Sequence, residues 1–381
     1  MALSCESRQA RRALLALLGS SAMLLAGCQT SAPMRPVGPA PIGPDGLPDA
    51  PRHRVALIIP LSGEDSGVGN SIANAASLAL IDSGDRTIRL LTYDSAGGAA
   101  AAAERAIAEG AELILGPLLA EDVRAVTPVA RRSGVPVVAF SNDISVAGGG
   151  TFIMGSTPAQ AIDRVVRYTR GKGAARFGAL VPTGLYGQRA AQAMLGAVRS
   201  SGGRMAGLET FNRSTTAARS AAQMLSTKGE MDAVLIADSG KIAAIAGSAL
   251  RPGPRLLGTE LWGGDRTLGQ SPRLRGALYA AAPDARFTQL VGRYKARYGK
   301  IPYRLGSLGY DAMLLTVRSA RTWPIGRPFP VRGLSDRDGF AGVDGIFRFG
   351  RDGVAERSLE VRQVTASGSI TVSPAAATFP K

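Results

Sequence analysis

Histidine is nearly absent from this 381-residue chain; His53 is the single one. That excludes most His-based metal sites and any serine or cysteine nucleophile activated by imidazole. Cysteine is almost as scarce, with only Cys5 and Cys28, so no disulfide scaffold is available. Lysine is scarce as well: 6 of the 45 basic residues are Lys and the other 39 are Arg. The formal charge of +16 would otherwise point to an anionic partner. The Arg-for-Lys imbalance, with abundant Ala and Gly, reads instead as compositional bias, and the surplus charge as a solvated surface. A Walker A sequence, a Gly-x-Ser-x-Gly elbow and clustered metal ligands are all missing. Gly67-Val68-Gly69 precedes a helical stretch, but Ile72 stands where a dinucleotide fingerprint needs its third glycine. No cofactor, no metal and no enzymatic activity are therefore expected. What is present is 45% hydrophobic and 19% charged, enough apolar material for two ordinary cores.

The first residues read as an address. Arg8, Arg11 and Arg12 form a basic region, followed by an apolar stretch from Ala13 to Ala26. That stretch is too short to span a bilayer and suits a signal-peptide core. It ends in Leu25-Ala26-Gly27-Cys28, which resembles the lipobox of bacterial lipoproteins. The resemblance implies cleavage after residue 27, lipid on Cys28 and a membrane as partner. Gln29 follows; without an Asp there the sorting resembles that of outer-membrane rather than inner-membrane lipoproteins. Residues 28–51 then form a tether with seven prolines between Pro33 and Pro51, able to reach roughly 70 Å if extended. His53, just beyond it, is read as exposed.

From Val55 the pattern alternates. Val55–Ile59, Ile88–Tyr93, Leu113–Leu115 and Val135–Phe140 are short apolar runs that predict buried strands. Between them Ile72, Ala76, Ala79 and Leu80 share one helix face, Ala99–Glu109 is Ala-rich, and Glu121–Arg132 is helical but interrupted by Pro128. A second series follows, with strands at Phe177–Val181, Met205–Phe211, Ala233–Ala237 and Leu256–Gly258. Alternation of this kind predicts parallel sheets flanked by helices, in two lobes with a cleft between them. Two basic stretches, Arg164 to Arg176 and Arg293 to Arg304, read as solvated helix faces.

Several segments, in order, resemble the type I periplasmic-binding fold in its leucine-binding-like branch. They are Val55-Ala56-Leu57-Ile58-Ile59-Pro60-Leu61-Ser62-Gly63, Ile114-Leu115-Gly116-Pro117, Val135-Pro136-Val137-Val138-Ala139-Phe140-Ser141, Tyr186-Gly187, Gly309-Tyr310-Asp311-Ala312, and Gly342-Val343-Asp344-Gly345-Ile346-Phe347. Within that branch, Cys28, the tether, Gly116-Pro117-Leu118-Leu119 and Leu257-Gly258-Thr259-Glu260-Leu261-Trp262 resemble the penicillin-binding-protein activator lipoproteins. The fold class implied is α/β, two-lobed, each lobe a mostly parallel sheet flanked by helices. The first lobe is expected over about 52–155 and 284–330, the second over about 156–283 and 331–381. The function implied is non-catalytic, with a bifunctional peptidoglycan synthase as partner. The alternative is a substrate-binding lipoprotein of an ABC transporter, holding an amino acid, a related solute or a peptide in the cleft. Nucleic acid is not expected as a partner of an exported chain.

Amino-acid binders of this fold usually place Ser or Thr in the loop after the third strand, where hydroxyls meet the ligand carboxylate. Here Leu118 and Leu119 occupy that loop, while Ser141 and Asn142 follow the fourth strand. This half-clamp argues against a standard amino-acid ligand. The other cleft candidates are Ser62, Ser66, Tyr186, Asp238, Glu260 and Trp262. Tyr186 is expected to close over a ligand, Asp238 or Glu260 to pair with an ammonium group, and Trp262 to offer a stacking face.

Overall fold

A run such as Val55-Ala56-Leu57-Ile58-Ile59 has no polar side to show to water, so it belongs in a strand covered on both faces. The computed structural model, which describes residues 51–379, places it there. The signal segment, Cys28 and nearly all of the tether lie outside the described residues. Residues Arg52–Lys381 form one unit. It begins with β1 (His53–Ile59), α1 (Ser66–Ser83), β2 (Ile88–Asp94), α2 (Ala99–Ala108), β3 (Leu113–Leu115), α3 (Ala120–Arg132), β4 (Val137–Ala139) and β5 (Thr151–Ile153). These five strands form a parallel sheet in the order β2-β1-β3-β4-β5, a doubly wound arrangement. Successive residues of β1 serve opposite faces. Val55, Leu57 and Ile59 pack with Ile72 and Ala76 of α1, whereas Ala56 and Ile58 pack with Ala103 of α2 and Val126 of α3. Pro128 does not end α3, which runs through it.

The chain then crosses into the second lobe. It contains α4 (Pro158–Gly171), β6 (Arg176–Pro182), α5 (Leu185–Ser200), β7 (Arg204–Phe211), α6 (Thr215–Ser226), β8 (Ala233–Ile236), α7 (Gly240–Ala249), β9 (Arg255–Gly258) and β10 (Leu278–Ala281). These strands are ordered β10-β9-β8-β6-β7, and two strands from later in the chain extend the sheet beyond β10. Its β6 alternates in the same way. Phe177, Ala179 and Val181 face α4 and α5, and Leu180 faces α6 and α7.

After β10 the chain returns to the first lobe with α8 (Ala285–Tyr298) and α9 (Gly306–Ala320), and then β11 (Phe340–Gly342), β12 (Gly345–Phe349) and β13 (Ala355–Arg357), a small antiparallel sheet. Phe340, Val343, Phe347 and Phe349 bury in the first core, beside Leu57 and Leu290. The lobe boundary expected at 331 therefore falls near 358. The third crossing leads into β14 (Glu360–Thr365) and β15 (Gly368–Ser373), and Val361 and Val364 join the second lobe's packing. Residues 340–357 stay with the first lobe because their aromatic side chains pack into that core.

Two further expectations change. His53 is not exposed but 1% accessible. Its ring stacks on Trp323 at 3.7 Å between centroids, with Nε2 2.9 Å from the Trp323 carbonyl oxygen and Nδ1 3.2 Å from the Glu112 carboxylate. The two basic stretches are not simply solvated either. Arg164 donates to the Leu359 carbonyl, Arg176 pairs with Glu230 and Asp232, Arg293 with Asp82, and Arg304 with Asp344. Among the described residues no helix is long and apolar enough to cross a membrane.

Candidate functional site

Between the lobes lies a cavity of about 540 Å³, within the size range of small-ligand sites. The first lobe contributes Leu118 and Leu119 at the start of α3, Phe140 and Asn142 after β4, and the segment leading into α9. The second contributes Ser156 and Thr157 ahead of α4, and the turn that follows β9, with Glu260, Leu261 and Gly263. Each contribution lies beyond the carboxyl end of a strand or at a helix start, as the doubly wound topology requires.

Of the ten cleft candidates, four line this cavity: Leu118, Leu119, Asn142 and Glu260. The other six have different places. The Ser62 hydroxyl donates to Asp94 at 2.6 Å, and the Ser66 carbonyl receives the Asn70 amide inside α1. Ser141 is buried, its hydroxyl oxygen accepting the Asp143 backbone N–H at 3.1 Å. Asp238 is buried and paired with Arg213 at 3.0 Å. Tyr186 props the site from behind, its hydroxyl 2.9 Å from Thr259 Oγ1 and donating to Glu260 Oε1 at 3.1 Å.

Trp262, expected to offer a stacking face, is fully buried in the second core beside Tyr279 and donates its indole N–H to the Asp238 carbonyl. Gly258 is what makes room for it: a Cβ there would lie 2.1 Å from the indole.

Three acids line the cavity, Asp65, Glu260 and Asp344, and Glu260 is the one on the second-lobe side. Burial pushes its carboxyl up to about 7, against the opposing hydrogen bonds from its own backbone N–H and the Tyr186 hydroxyl. One oxygen is thus occupied; Oε2 is buried without a hydrogen-bond partner among the described residues. On the first-lobe side, Arg304 lines the cavity, pairs with Asp344 and stacks over the Phe287 ring at 4.2 Å. Ser307 donates to the same Asp344 at 2.7 Å. Behind them, Asp311 accepts the Val343 and Asp344 backbone N–H groups. Burial, and next the charge of Asp344, raise its pKa.

Arg357, at the end of β13, also lines the cavity, and the sequence reading did not single it out. Gln160 of α4 grips its strand from the other lobe, accepting the Arg357 N–H at 3.0 Å and donating to the Ala355 carbonyl at 2.6 Å. A further link between the lobes is the contact of Arg189 on α5 with Asp143 in the loop after β4. Burial opposes ionisation of Asp143, but the Ser145 hydroxyl and N–H, with the guanidiniums of Arg189 and Arg124, hold its pKa below the ordinary carboxylate range.

Two lobes joined by three crossings, with a solute-sized cavity between them, are matched in known proteins. Residues 53–369 match the family described as periplasmic binding protein. The chain belongs to the periplasmic binding protein family. Several solved structures share its fold. A leucine binding protein from Thermotoga maritima is 21% identical, with a TM-score of 0.63, covering 84% of this chain and 97% of that one. A branched-chain amino acid ABC transporter periplasmic ligand-binding protein from Burkholderia xenovorans is 16% identical, with a TM-score of 0.70 over 84% of this chain and 95% of that one. A solute binding protein from R. palustris in complex with benzoate is 17% identical, with a TM-score of 0.63 over 87% of this chain and 98% of that one. In sequence, an uncharacterized protein of Rickettsia prowazekii, RP748, is 28% identical over 142 residues, which are 37% of this chain and 38% of that protein. This chain thus matches little more than a third of that relative's length. As a periplasmic binding protein, the chain has its cavity where two-lobed proteins of this kind close about a hinge.

Proposed function

We propose that this periplasmic binding protein is a non-catalytic envelope lipoprotein, exported, anchored through lipid on Cys28, and presenting a small solute to an ABC-type membrane transporter. The observation that carries the reading is the inter-lobe cavity of about 540 Å³, walled by both lobes and lined by a buried acid, Glu260, with an oxygen that no group among the described residues engages. Leu118, Leu119 and Phe140 give one wall an apolar character that suits the body of a small organic solute. The benzoate complex of the R. palustris protein and the transporter names borne by proteins of the same fold support it.

A second reading is regulation of a bifunctional peptidoglycan synthase. It is favoured by Leu118 and Leu119 standing where amino-acid binders carry hydroxyls, which would leave the outer surface as the working part. Cross-linking of the lipidated protein in intact cells separates the two. Recovery of an ATP-driven permease is the expected result. Recovery of a peptidoglycan synthase and no permease would transfer the assignment to the second reading.

A further inference from the structure

We propose that the cleft is built for a small organic anion, a carboxylate on an apolar body, with its charge set against the guanidinium of Arg357. The inference rests on the solute-binding reading of the same cavity and names the ligand class.

Arg357 occupies an inward position of β13, whose exposure alternates buried, exposed, buried. The residue is 6% exposed. Of its five N–H groups, one on Nη2 reaches the Met154 carbonyl at 2.8 Å. Nε and Nη1 are buried with no hydrogen-bond partner among the described residues. The Phe347 ring lies 5.0 Å from the guanidinium carbon and supplies no acceptor lone pair. The acids whose charge reaches Arg357 are Asp344 and Asp311, and both are committed elsewhere. Asp344 receives Arg304 and Ser307; Asp311 receives two backbone N–H groups. Arg304, the other cation lining the cavity, is therefore already paired, and Arg357 is not.

Buried cations in folded proteins are ordinarily paired and hydrogen-bonded, because leaving donors unfilled in a low-dielectric interior is costly. The same low dielectric strengthens the attraction of any anion placed beside the group. Arg357 borders the cavity while its Nε and Nη1 are sealed within the protein, so a ligand carboxylate there supplies the counter-charge that no described acid brings into direct contact with the guanidinium. Leu118, Leu119, Leu305 and Leu308 then cover the rest of the molecule. Burial keeps Glu260 largely protonated up to about neutral pH. In that form it carries no charge to repel the anion and makes a poor seat for an ammonium group.

The test is calorimetry on the purified full-length protein with three head groups on two constant bodies. The probes are 4-methylpentanoate and 3-phenylpropanoate, their primary amides, and leucine and phenylalanine. Pairing of the carboxylate charge with the guanidinium predicts the carboxylates to bind about ten- to a hundredfold more tightly than the amides. Arg357→Gln should bring carboxylate affinity down to the amide level. Should that variant fail to fold, the wild-type comparison of carboxylate with amide decides alone. Equal binding of amide and carboxylate, or tighter binding of leucine or phenylalanine than of the matching carboxylates, overturns the anion inference and leaves the cleft a solute site. Silence of every probe overturns it too; a melting-temperature rise with sugars or peptides would then retain the solute reading, and none with any solute would count against both.

Discussion

Replacing Asp143 by Asn removes one charge from a contact that joins the lobes while keeping the side chain's shape. The Asp143 carboxylate is 3% exposed and meets Arg189, 20% exposed, from the second lobe and Arg124, 54% exposed, from its own. An exposed pair such as that with Arg124 contributes at most ~1 kcal/mol. The less exposed Arg189 contact, weakened rather than abolished by an amide oxygen, is worth about 1–2 kcal/mol. Only the second crosses the cleft, so the lobe-closing equilibrium should shift by roughly five- to thirtyfold. Acid should act in the same way. The Asp143 pKa is depressed in the fold, so its contribution is complete above the ordinary carboxylate value of about 3.9 and is lost as pH falls below it. Small-angle scattering at neutral pH provides the assay, with Arg124→Gln as the control that leaves the crossing contact in place. Asp143→Asn is expected to enlarge the radius of gyration and Arg124→Gln to leave it unchanged. Identical scattering from wild type and Asp143→Asn, or the same expansion in both variants, would refute the reasoning.

Glu260→Gln mimics the protonated acid. Because burial raises the carboxyl to about 7, wild-type stability should fall as pH rises from about 4.5 through 7, by at most ~3 kcal/mol; melting curves at pH 5 and pH 8 should show the variant gaining only at pH 8. Gly258→Ala drives a methyl into the Trp262 indole and should cost about 1–3 kcal/mol by overpacking, read as a lower denaturation midpoint; an unchanged midpoint would contradict the packing described. Cys28→Ala should leave the protein unprocessed or release it from the membrane fraction, and a processed variant that still sediments with membranes would argue against the anchor.

The strands that begin each lobe were legible because Val55–Ile59 and Phe177–Val181 are apolar on both faces, a pattern that only a doubly covered sheet explains. The helices were legible from one-sided spacing. Length alone did not decide: β3, three residues long, was legible as the apolar run Leu113–Leu115, whereas β5, equally short, opens on Thr151 and has nothing in its neighbourhood to set it apart from a loop. His53 and Trp262 were misplaced for a related reason, since the stack on Trp323 and the space left by Gly258 are long-range or backbone facts. In the site, Leu118, Leu119 and Glu260 could be found because they follow strand ends. Arg357 could not be found that way. Its placement depends on the third crossing lying near 358 rather than 331, and its one local signal is the two-residue alternation that sets it on the same face as buried Ala355.

The central claim is that a solute occupies the cavity between the lobes. Its most direct test is a thermal-shift screen of small solutes against wild type and Leu119→Trp, a variant that fills the cavity from its apolar wall. A solute at a hundred times its Kd stabilises a protein by about 2.7 kcal/mol. The account predicts that at least one solute raises the melting temperature of wild type and has no effect on Leu119→Trp. A library in which no solute separates the two proteins would contradict it.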